Sequence, residues 1–96
     1  MDDEAKRRQE IERGVMAESA LKNPVIGEAL DLIEHDYFEA WLACNARDVE
    51  FREKCWSMCV AARKFRNTLK SVMETGQMAR IQLEEKRTFK LFGGGR

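Results

Sequence analysis

The sequence predicts an all-α fold: an antiparallel helical hairpin of residues 24–44 and 48–75, with an additional N-terminal helix and a short C-terminal helix or extended tail. Three observations carry this. The helix formers Ala, Leu, Met, Glu, Lys and Arg are abundant. Apolar residues recur at steps of three and four along two long stretches, the repeat of a helix face that packs on another helix. Little β-branched material is left in the middle of the chain for a sheet.

The chain has 96 residues, one domain at most; residues 1–86 are assigned to it and 87–96 to a tail. A chain this short buries only about 60 to 65% of its unfolded surface, so association is expected.

The first segment, DDEAKRRQEIERGVMAESALK, is expected to be helical, with Asp2, Asp3 and Glu4 at the end where the helix dipole favours anions. Ile11, Val15 and Leu21 are its sparse anchors. Gly14 weakens its middle by about 1 kcal/mol relative to Ala. Such a helix needs a partner surface.

Asn23-Pro24 starts the second helix, Asn as N-cap and Pro at the first helical position, where its missing N–H is not needed. Its apolar stripe is Ile26, Leu30, Ile33, Tyr37, Ala40 and Cys44. Tyr37 and Phe38 are adjacent, so they cannot both face the same helix. One ring is therefore assigned to a partner or oligomer interface. Trp41 and Trp56 are expected to pack beside the corner.

Asn45, Ala46 and Arg47 form that corner, and Asp48 caps the third helix. Phe51, Cys55, Met58, Ala62, Phe65, Leu69 and Val72 form its stripe. Gly76, after Met-Glu-Thr, reads as the glycine that ends it. The third helix is then longer than the second, and the first helix or another subunit must cover its far end. QMARIQLEEKR reads as a short fourth helix with Met78, Ile81 and Leu83 inward. Phe89, Leu91 and Phe92 next to Lys90 read as an adhesive tail, a second part of the interface.

Lys and Arg total 17 and Asp and Glu total 17, so the net charge is zero. That balance speaks against coating a nucleic acid, which takes a basic excess. A local ridge of Arg63, Arg66 and Lys70 is the candidate phosphate-binding site, weighed against a solvated face paired with helix 2. No apolar run nears the roughly 18 residues that span a bilayer. The charged start MDDEAKRRQE lacks the apolar segment of a secretion signal. A cytosolic chain with reduced thiols is expected.

His35, Cys44, Cys55 and Cys59 raise a metal question. Structural zinc sites take cysteine pairs from knuckles or loops, whereas Cys44 and Cys55 occupy stripe positions, where a free cysteine acts as a small hydrophobe. No metal and no cofactor are expected. With no base near a cysteine, no Gly-rich phosphate loop and no inward carboxylate pair, no catalytic residue is assigned either.

The run from Arg13 to Trp56 resembles a group of small uncharacterised helical proteins encoded by tailed bacteriophages and prophages. The shared features are Arg13-Gly14, Asn23-Pro24, Glu28-Ala29, an aromatic at Tyr37 or Phe38 before Ala40-Trp41, Ala46-Arg47-Asp48, and Arg52-Glu53-Lys54 with Trp56. The resemblance covers about residues 13–75. It implies a phage origin, among genes for head assembly and DNA packaging, and carries no catalytic residue. The expectation is a homo-oligomeric, non-enzymatic virion-assembly protein, an adaptor, connector or scaffold component that meets other phage proteins in the host cytoplasm or virion. The alternatives are a DNA-binding, small-terminase-like packaging factor and an inhibitor of a host enzyme or defence system.

Overall fold

A computed structural model of the chain describes residues 3–93. Asp2 of the expected helix start and residues 94–96 of the expected tail lie outside the described residues. Among the described residues there are three helices, α1 (Asp3–Lys22), α2 (Pro24–Ala43) and α3 (Val49–Phe92), and no strand. The all-α expectation holds.

The third helix departs from expectation. It runs for 44 residues, straight through the position expected to stop it. No described glycine has positive φ, so Gly76 is no cap. The expected short fourth helix is the continuation of α3. The segment read as a tail is helical as far as Phe92.

The chain divides into two compact units: residues up to Ser19 with those from Leu69 onward, and Ala20–Thr68. In the first, α1 lies against the second half of α3. Glu4 reaches Lys86 at 3.4 Å and Lys90 at 3.7 Å, and the Arg7 Nε–H donates to Gln82 Oε1 at 3.1 Å. Numbers rise along α1 as they fall along α3, so the two run antiparallel. Among the described residues, Gly14, Ala17, Gly76 and Ala79 are the buried ones here. Val15, Met78 and Ile81, expected to face inward, are exposed. The interior of this unit is built from the smallest residues, because the two backbones approach too closely for larger ones.

The second unit holds α2 and the first half of α3, joined by a tight corner. The Asn23 side chain accepts from Val25 N–H at 2.9 Å, and Pro24 occupies the first turn. Asp48 Oδ1 accepts from Phe51 N–H at 3.3 Å, capping α3. At the corner, Asn45 Oδ1 accepts from Arg47 N–H at 2.9 Å, and Cys44 N–H closes the last turn of α2 on the Ala40 carbonyl at 3.0 Å. Leu30, Cys55 and Ala62 are buried. Phe51 and Phe65, expected in the α3 stripe, are exposed instead. The contact line runs through the smaller Cys55 and Ala62, and the large rings stand to one side.

Candidate interaction surface

Burial in the second unit is confined to a narrow seam, which leaves an open groove on either side of it. The first, about 440 Å³, is lined by Phe38, Trp41, Trp56 and Val60 with Cys55 and Cys59 beneath, and His35, Glu34 and Arg63 at its edges. The second, about 360 Å³, is lined by Ile26, Ala29 and Ile33 of α2 and by Met58, Ala61 and Phe65 of α3. Trp56 and Phe65 are nine positions apart, which at about 100° per residue puts them on opposite sides of α3.

The aromatic groove has a fixed floor. Burial pushes the Cys55 thiol above its ordinary range, with Cys44 and Cys59 adding to the shift. The Cys59 thiol donates to the Glu34 carbonyl at 3.6 Å. At the corner end, the Arg52 guanidinium lies 4.3 Å from the centre of the Trp41 ring and donates to the Trp41 carbonyl at 3.4 Å. A cation there complements the negative end of α2. Phe38 also stacks with Trp41, ring centres 6.1 Å apart and planes 17° from parallel. Trp41 is thereby half-buried. Trp56, expected to pack at the corner, is 66% exposed.

The adjacent rings part as helix geometry requires: Tyr37 is half-buried and Phe38 is 51% exposed. Phe89, Leu91 and Phe92 are exposed on the last turns of α3. The ridge of cations is not free for phosphate. Arg63 pairs with Glu34 at 3.4 Å, and Arg66 pairs with Asp31 at 3.0 Å and with Glu34 at 3.9 Å. Lys70 is exposed and enters no ion pair among the described residues.

Sequence reasoning missed the grooves, because it placed Phe51 and Phe65 in the seam and Trp56 at the corner. The signal was present in the excess of apolar residues beside each stripe, Val25, Leu32, Phe38, Trp56 and Val60, more than a single helix contact can bury. Among the described residues no group of three or more His, Cys, Asp or Glu side chains is arranged to hold a metal ion, and no helix is long and apolar enough to cross a membrane. No protein-family model, curated protein or solved structure matches the chain.

Proposed function

We propose that this chain is a non-enzymatic, self-associating helical protein whose α2–α3 hairpin, with α1 packed on the far part of α3, acts as an assembly module. The observation that carries the reading is the pair of apolar grooves flanking a seam of small residues. A monomeric surface rarely exposes apolar patches larger than a few hundred Å². Here Phe38, Trp56 and Phe65 are each more than half exposed, on two sides of the same helix pair. Copies of the chain, or copies with partner proteins, cover such faces at little cost.

The resemblance to small tailed-phage proteins gives the setting: assembly or structure of a virion, as an adaptor, connector or scaffold component made in the host cytoplasm. A DNA-packaging role is less well supported. Its proposed phosphate ridge spends Arg63 and Arg66 on Asp31 and Glu34, and the net charge is zero. Light scattering coupled to size exclusion tests the core of the reading. A mass at least twice that of the 11.2 kDa chain is expected at micromolar concentration. A mass of one chain at every concentration rules out self-association.

A further inference from the structure

We propose that a second copy of this chain fills the aromatic groove, the two copies related by a two-fold axis that runs along the helices and lays α2 of each against α3 of the other. This names the partner and the face for the self-association proposed above, and rests on it.

The side chains around this groove are those that interface cores favour. Trp, Phe and Arg are enriched at such cores, and Trp, Tyr and Arg dominate their binding energy. Both tryptophans of the chain line it. The apolar face continues past Trp41 and Trp56 to Val49 beyond the corner. Phe38, Leu42, Val49, Trp56 and Val60 are all exposed. Together they offer on the order of 500 Å² of apolar side-chain surface, taking about 150–250 Å² for a whole large side chain. A standard interface buries about 800 Å² per partner, a little over half of it apolar, so this face has the area that one copy needs from another.

Charge selects the pairing. α2 carries Glu28, Asp31, Glu34, Asp36 and Glu39 and not one Lys or Arg. The first part of α3 is basic: Arg52, Lys54, Arg63, Lys64 and Arg66 stand against Glu50 and Glu53. Within the chain, Arg63 and Arg66 pair with Asp31 and Glu34. Glu28 and Glu39 on α2, and Lys64 on α3, enter no ion pair among the described residues. Setting α2 on α2 would oppose carboxylates. An axis along the helices sets each acidic α2 against a basic α3, and each helix stays antiparallel to both neighbours. The contact is then self-complementary, as a two-fold interface must be, and the product is a four-helix bundle around Phe38 and Trp56.

The test uses the full chain, by sedimentation equilibrium with tryptophan emission followed over the same concentrations. The expected result is a dimer, with emission shifting to the blue as it forms, because both indoles lie on the buried face. Trp56→Asp and Val60→Glu, each at an exposed position and each checked for unchanged helix content by circular dichroism, are expected to weaken the dimer by about thirtyfold or more. Phe65→Asp, in the other groove, leaves it intact. Glu28→Lys with Glu39→Lys weakens it too; a tighter dimer in that variant overturns the α2-on-α3 arrangement. Association without any change in tryptophan emission, or association that survives Trp56→Asp and is lost in Phe65→Asp, overturns the pairing and leaves self-association standing. A chain monomeric throughout overturns both.

Discussion

Gly14 of α1 and Gly76 of α3 meet backbone to backbone. A Cβ on Gly14 would stand 2.9 Å from the Gly76 Cα, and one on Gly76 would stand 2.8 Å from both the Gly14 Cα and the Glu10 carbonyl oxygen. Real Cβ atoms do not come that close to backbone. Ala17 and Ala79, each three residues further along its own helix and so on opposite sides of the crossing, are also buried, so the packing is sustained for about a turn either way. This crossing gives the thinly amphipathic α1 its partner surface.

Ala is the better helix former by about 1 kcal/mol, so Gly→Ala in an open helix interior stabilises. Gly27 meets that condition, with nothing within 4 Å of an added Cβ, and Gly27→Ala is expected to raise stability by about 0.5–1 kcal/mol. Gly14→Ala and Gly76→Ala must push two backbones apart and are expected to lose about 1–3 kcal/mol net. Urea denaturation of the three variants, read by circular dichroism, separates the signs. A stabilised Gly76→Ala would refute the close crossing.

The two N-caps are local devices and should behave as such. Asn23→Ala removes the acceptor for Val25 N–H, and Asp48→Ala the acceptor for Phe51 N–H. Each is expected to cost about 1 kcal/mol, and the two effects should add, since the caps serve separate helix ends. Thermal melts of both single variants and of the double variant check this.

Cys55 is fully buried, and its thiol titrates above the ordinary range because burial opposes the thiolate. The folded state therefore holds this proton more tightly than the unfolded state. The resulting stability is complete below the ordinary thiol value of about 8.5 and is lost as pH rises through the raised folded value. Melting temperature should fall more steeply above that pH in the wild type than in Cys55→Ala. In the native protein at neutral pH, a thiol reagent should label the half-buried Cys44 and Cys59 before Cys55, as mass spectrometry of the labelled peptides will show.

Arg66→Glu removes two ion pairs and sets a third carboxylate beside Asp31 and Glu34. With a partly exposed side chain the cost should be modest, about 1 kcal/mol. Lys70→Glu is expected to change stability by less than about 0.5 kcal/mol. Gel-shift titration of the wild type with duplex DNA should show no binding at about 50 mM salt. Binding that disappears when Arg63, Arg66 and Lys70 are all changed to Glu would restore the packaging reading.

Self-association, the remaining expectation, makes the melting temperature depend on protein concentration. Differential scanning calorimetry over a hundredfold concentration range should show a rise for the wild type and a flat response for Trp56→Asp.

The sequence by itself determined what is decided within a turn or two of helix. Asn23-Pro24 and Asp48 bound the helices because an N-cap needs only its own side chain and the N–H groups just after it. Helix propensity settled the all-α class in the same way, and the adjacency of Tyr37 and Phe38 sufficed to put one ring outward. Only the tertiary structure decided which face of each helix is buried. Gly76 after Met-Glu-Thr carries the same local signal whether it ends a helix or lets another helix touch it, and Gly14, 62 residues away in sequence, tips the choice. Likewise, a stripe at steps of three and four fixes a helix face only to within a fraction of a turn. The buried contact line of the second unit runs through the small Cys55 and Ala62, and that rotation of the face leaves Phe51 and Phe65 outside the seam. Small residues win the contact line because they let backbones come together, and that rotation opens the two grooves on which the proposed function rests.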